Sequence, residues 1–118
     1  MSRRVDAWKA AWESRDVDRI VAMYASDATH ASGLVRQVLP EADGAVCRGR
    51  AEIAEYFHRA LGRYRELRFD LLTVTEDATR SAVEYHRQSD VDGANPRHVL
   101  ELLEWRGDLL SAVRVFHA

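Results

Sequence analysis

The feature that most constrains this chain is the join near residue 16, where two short amphipathic segments meet at an aspartate. Val5, Trp8 and Trp12 recur at helical spacing, with Lys9 and Glu13 on the other side. Asp16 then stands where an N-cap belongs, because its carboxylate can accept the free amides of the next turn. Val17, Ile20, Val21 and Tyr24 repeat at i, i+3, i+4 and i+7, which predicts a second helix. Asp27-Ala-Thr-His30 reads as a turn into a short strand.

The rest of the chain fixes the class. Residues 33–49 are irregular: Pro40, Asp43-Gly44 and Gly49 argue for a long loop or hairpin, with Val35 and Val38-Leu39 as strand pieces. Loops of this length are often functional. A third helix is expected over about Ala51 to Tyr64, with Ile53, Phe57, Ala60, Leu61 and Tyr64 as its stripe and Gly62 weakening its last turn. Leu67, Phe69 and Leu71 alternate with Arg68 and Asp70 as a strand. Further strands follow at Ser81–Gln88, His98–Arg106 and Leu109–Phe116, the last two joined at Gly107-Asp108. The predicted order is ααβαββββ: an α+β domain with helices first and an antiparallel meander after.

Composition narrows the function classes. A length of 118 residues makes residues 1–118 one domain. Hydrophobic residues at 47% and charged residues at 31% are ordinary for a soluble globular protein. A net charge of −2 gives no nucleic-acid footprint, so no nucleic-acid partner is expected. Nor is a membrane partner, because no apolar stretch approaches the ~20 residues of a spanning helix. Arg3-Arg4 leads straight into Val5-Asp6, which argues against a signal peptide. The single Cys47 forbids an internal disulfide and fits a cytoplasmic location. As a nucleophile Cys47 lacks an evident activating base. His30, His58, His86, His98 and His117 show no close ligand spacing, so no metal is expected. The chain carries no Ser-His-Asp order, phosphate-binding loop or dinucleotide fingerprint, so no cofactor is expected.

Nearly the whole sequence resembles the nuclear transport factor 2-like superfamily, and within it the SnoaL-like, polyketide cyclase and ketosteroid isomerase-like branch. The resemblance is carried by Ala11-Trp12 before Asp16, by Ile20-Val-Ala-Met-Tyr24-Ala-Ser-Asp27-Ala, by Arg48-Gly-Arg-Ala-Glu-Ile53 opening the third helix, and by the closing Arg106-Gly-Asp-Leu-Leu-Ser-Ala-Val-Arg-Val-Phe116. It implies a curved sheet wrapped into a cone, with the three helices of the N-terminal half closing its concave face. The pocket of such a cone takes small, mostly apolar molecules. It also implies a homodimer through the convex sheet face. Fold by itself gives no activity.

The last hairpin gives the candidate site its geometry. A two-residue type II′ loop at Gly107-Asp108 pairs Arg106 with Leu109. Counting back from there, Trp105 faces Leu110, Leu103 faces Ala112, and Glu101 faces Arg114. One face then carries Glu101, Leu103, Trp105, Arg114 and Phe116, and the resemblance to ketosteroid isomerase turns it inward. Glu101 falls where that enzyme has a protonated oxyanion donor, while Ser32 occupies the position of its base and Trp8 that of its oxyanion-hole tyrosine. Beside Arg114, Glu101 is expected to stay ionised, and Arg114 to orient a substrate oxygen. The alternative is a structural ion pair on the rim or outer face, since a one-residue register slip flips every side chain.

His30 suits proton transfer, with an ordinary pKa of ~6.5; the alternative is a surface or supporting role. For His86 the frame stays open: the isomerase register turns Glu84 and His86 inward, whereas the apolar count favours Val83 and Tyr85. The catalytic candidates are therefore His30, His86, Glu101 and Arg114. Trp8, Trp12, Tyr24, Phe57, Leu61, Leu103, Trp105 and Phe116 are the expected substrate-binding walls, with a purely core role as the alternative. Leu100, Leu102, Val113 and Val115 fall on the opposite face and need a second cover, which again predicts a homodimer.

The resemblance thus implies cofactor-free acid–base chemistry on a small apolar metabolite: isomerisation, cyclisation, dehydration or epoxide opening. The competing expectation is a noncatalytic ligand-binding or dimeric accessory module. A cavity well below ~300 Å³ would favour the second.

Overall fold

The computed structural model describes residues 2–118. Helix α1 (Arg3–Ser14) is capped by the Ser2 side chain, which accepts from the Val5 amide. Arg15 at its end takes a left-handed conformation. Asp16 caps α2 (Val17–Val21) as its position predicts, accepting from the Arg19 amide at 3.2 Å. That helix is shorter than the apolar spacing suggests. Tyr24 belongs instead to β1 (Tyr24–Ser32), where the Leu110 amide donates to the Met23 carbonyl and draws the chain into the sheet.

Residues 33–49 depart from expectation. Val35–Val38 is a single helical turn, α3, not a strand piece. Its buried Val35 and the buried Leu39 lie four residues apart and face the core together. That packing overrides the β preference of valine. A 3₁₀ turn (Asp43–Ala45) leads to β2 (Val46–Arg48), which pairs antiparallel with β1. Helix α4 runs Gly49–Leu61, earlier at both ends than its stripe implies.

Strands β3 (Leu67–Glu76), β4 (Arg80–Ser89), β5 (Arg97–Arg106) and β6 (Leu109–His117) form the meander. The six-stranded sheet has the order β2-β1-β6-β5-β4-β3 and does not close. It is not wholly antiparallel, because β1 runs parallel to β6. Helices α1, α2 and α4 cover the concave face, so the α+β cone is as predicted. Trp8, Ile20, Ile53, Phe57 and Leu103 are among the fully buried side chains, each contributing roughly 1.5–3 kcal/mol by burial. Among the described residues, no helix is long and apolar enough to cross a membrane.

Bulges set the final facing. Gly107 takes φ +64°, as the first residue of a II′ turn requires, and Arg106↔Leu109 and Trp105↔Leu110 pair as expected. Beyond them Ser111 is an extra residue, and the register continues as Glu104↔Ala112, Leu103↔Val113, Leu102↔Arg114 and Glu101↔Val115. Every side chain of β6 after the bulge changes face. A second bulge at Leu72 breaks the β3–β4 ladder.

Candidate active site

A cavity of about 50 Å³ opens between the sheet and α4. His30 of β1, Tyr85 of β4 and Glu101 of β5 line it from the sheet, and Trp12, Tyr56 and Leu61 from the helices. Its more exposed lining residues, Arg63, Arg87 and His117, mark the open side.

Glu101 points inward because it alternates with the exposed Leu100 and the partly buried Leu102 along β5. It is 4% exposed. Its Oε1 accepts a 2.8 Å bond from the Tyr85 hydroxyl. Its Oε2 is buried and, among the described residues, has no hydrogen-bond partner. Burial pushes this carboxyl from 4.5 up to about 7, while the Tyr85 bond pulls in the opposite direction. Tyr85 itself is held well above its usual value, first by burial and then by the Glu101 charge, so it remains a donor.

His30 is 2% exposed, and burial holds its imidazole down to about 3. It is neutral at physiological pH. Its Nδ1 lies 3.0 Å from the Tyr24 hydroxyl. Tyr24 is fully buried, its pKa raised well above the usual 10 mainly by that burial, so the hydroxyl keeps its proton and needs an acceptor. Satisfaction of that bond makes Tyr24 the donor to Nδ1 and assigns the ring proton of His30 to Nε2. His30 is thus a hydrogen-bond donor, not a base. Phe57 packs edge-on against its ring at 5.0 Å.

Two of the four catalytic candidates do not reach this site. Arg114 lies on the outer face opposite Leu102, because the Ser111 bulge inverted its facing; it is exposed and does not pair with Glu101. The expectation that Glu101 stays ionised falls with that pair. His86 also faces outward, stacked edge-on against His98 at 5.3 Å, because Val83 and Tyr85 take the inward frame of β4. Of the expected walls, Trp12 and Leu61 line the cavity. Trp8, Tyr24, Phe57, Leu103 and Trp105 are packed core. The Trp105 indole donates to Ser81 Oγ at 2.9 Å, away from the cavity. Phe116 is 49% exposed on the outer face opposite Leu100, turned out by the same bulge as Arg114.

Sequence reasoning named none of Tyr85, Tyr56, Arg63, Arg87 and His117 as site residues, although the apolar count favours Tyr85 inward. The signal for Tyr85 and Arg87 was the Val83-Tyr85-Arg87 alternation; His117 follows only once the bulge is known. Cys47 is buried on β2, and desolvation lifts its thiol to about 11, which makes it a poor nucleophile. Among the described residues, no group of three His, Cys, Asp or Glu could hold a metal ion.

Among solved structures, a SnoaL-like protein of unknown function from Burkholderia thailandensis is 22% identical, with a TM-score of 0.79, over 97% of this chain and 91% of that one. A hypothetical protein with a ketosteroid isomerase-like fold from Catenulispora acidiphila, solved with trimethylamine, is 19% identical, with a TM-score of 0.78, over 100% of this chain and 87% of that one. TerC co-crystallised with polyporic acid is 16% identical, with a TM-score of 0.76, over 99% of this chain and 92% of that one. None of the curated proteins matches the sequence. The SnoaL-like domain pattern spans residues 5–111, from α1 into β6, and the chain belongs to that family.

Proposed function

We propose that this protein binds a small, largely apolar metabolite and performs cofactor-free acid–base chemistry on it, Glu101 moving the proton and His30 donating a hydrogen bond to the oxygen where charge develops. One observation carries this reading: Glu101 sits buried in the cavity wall with one oxygen held by Tyr85 and the other unpartnered. A desolvated carboxyl left half-satisfied costs stability. Such groups concentrate where a reaction needs a proton carrier poised near neutral pH. As base, Glu101 Oε2 takes a proton from the carbon beside a carbonyl. The His30 Nε2–H meets the carbonyl oxygen as it gains charge. The protonated Glu101 then returns the proton to another carbon, or to a departing hydroxyl. Isomerisation and dehydration share this sequence; in cyclisation the enolate carbon bonds to a second carbonyl carbon, whose oxygen takes the proton from Glu101.

The test is deuterium uptake beside the carbonyl of small cyclic ketones in D₂O. The protein is expected to accelerate uptake, with the rate rising through pH 7 as Glu101 ionises. Equal rates with Glu101→Gln would remove Glu101 from the chemistry.

A second reading is favoured by the filled cone. Trp8, Tyr24, Phe57, Leu103 and Trp105 occupy it, and about 50 Å³ is far less than the ~300 Å³ of common ligand pockets. A noncatalytic module of the same fold fits that observation. Failure of every small ketone to shift the Glu101 titration would favour it. The likeness to TerC, co-crystallised with polyporic acid, supports a small organic ligand. The proposal includes a homodimer through the outer sheet face. Leu100 and Phe116, 39% and 49% exposed, support it, with Leu102 and Ala112 beside them. Val113 and Val115 turn inward and do not contribute.

A further inference from the structure

We propose that the ligand is a small amphiphilic carboxylate, its hydroxyl or carbonyl end against Glu101 and its carboxylate held at the mouth of the cavity by Arg63 and Arg87. This rests on the acid–base reading of the same site and names its substrate class.

Two guanidinium groups converge on one aromatic ring at the mouth. The carbon of Arg63 lies 5.4 Å from the Tyr64 ring centroid, and that of Arg87 lies 5.5 Å from the same centroid. Arg87 is rigid: Asp92 accepts from its Nε and Nη2 at 2.9 Å each, and Ser89 in turn donates to Asp92. The Nη1 amino group lies outside that fork. Arg63 donates to the Ala60 carbonyl and to the Tyr64 hydroxyl, and among the described residues no carboxylate pairs with it. Asp92 compensates one of the two cations and leaves the other. At the mouth, apart from Glu101 on the sheet side, the charge is therefore net positive; the pKa of His117 is lowered by burial and by Arg87 and Arg97, so His117 adds no charge there at neutral pH.

Leu61, Leu67 and Phe69 add apolar surface to the lining, and Glu101, whose Oε2 is unpartnered, lines the cavity from the sheet. A ligand that satisfies both ends carries an anionic oxygen, a compact apolar body and a neutral oxygen function. Planar guanidinium groups match a carboxylate better than any neutral acceptor does. At about 50 Å³ the cavity takes only the oxygen end of such a ligand, and its ring and carboxylate stay at the opening beside Arg63 and Arg87.

The experiment compares 4-hydroxybenzoate with 4-hydroxybenzamide, which share the ring and hydroxyl and differ in the anion. Affinity is read by NMR titration, together with the ¹³C carboxyl signal of Glu101. The carboxylate is expected to bind about tenfold or more tighter than the amide, a preference of the size charge-assisted bonds give. In Arg63→Gln, an exposed position outside the core, that ratio is expected to fall to about twofold or less, with little change for the amide. Three results overturn the inference: equal binding of the two probes, an unchanged ratio in Arg63→Gln, or no binding of either. Equal binding with a shifted Glu101 titration sinks the carboxylate class and leaves the acid–base site standing. If neither probe moves Glu101, both fall.

Discussion

Replacing Glu101 with glutamine removes an ionisable group whose burial works against folding at neutral pH. The substitution keeps the shape and keeps an oxygen to accept the 2.8 Å bond from Tyr85. In the unfolded chain Glu101 releases its proton near 4.5, whereas in the folded protein it holds that proton up to about 7. A folded pKa raised in this way gives stability that is fully present below pH 4.5 and lost as pH rises through 7. The gap, at about 1.4 kcal/mol per pH unit, corresponds to about 3 kcal/mol. Glu101→Gln is therefore expected to gain about 3 kcal/mol on the wild type between pH 4.5 and pH 8. The assay is urea denaturation of both proteins at half-unit pH steps, taking the difference at each step so that all other titrations cancel. A difference that stays flat across that window, or moves against the variant as pH rises, would refute the buried, half-satisfied carboxyl.

His30 acts with the opposite sign: its folded value near 3 lies below the usual 6.5, so it adds stability above pH 6.5 that is lost as pH falls. Its ring signals are expected not to titrate between pH 5 and 8, and ¹⁵N shifts should show the Nε2–H tautomer; a mid-range titration would contradict its burial. Tyr85→Phe removes a bond that favours the ionised carboxyl, so Glu101 should titrate above 7 and stability should fall by about 1 kcal/mol; a downward move in its ¹³C titration would reverse the assignment. Arg114→Ala should leave the Glu101 titration unmoved, because Arg114 sits on the outer face. Phe116→Glu should convert a dimer to a monomer by light scattering without lowering the unfolding midpoint of the monomer, and an unchanged mass would place the interface elsewhere.

Local chemistry made much of the fold legible. Asp16 ends one helix and starts the next whatever surrounds it, because capping needs only a side-chain acceptor and the first amides of a turn. The alternation of Val99, Glu101, Leu103 and Trp105 put these residues on one face of β5, and Gly107 fixed the hairpin turn. The resemblance to ketosteroid isomerase turned that face inward. His30 followed from the strand that β1 had to become.

The rest required the tertiary structure. A bulge at Ser111 leaves no mark in a pattern that reads Leu-Leu-Ser-Ala-Val-Arg-Val-Phe, yet it moves Arg114 and Phe116 out and brings Val115 and His117 in. With Arg114 gone, burial decides the charge state of Glu101, and the expected direction of its pKa reverses. The sequence by itself determined which elements form and which way most side chains face, because those follow from turns, caps and period-two alternation. Only the packed structure decided which polar atoms meet and which are left alone in the dark of the cavity, because desolvation and register depend on every strand at once.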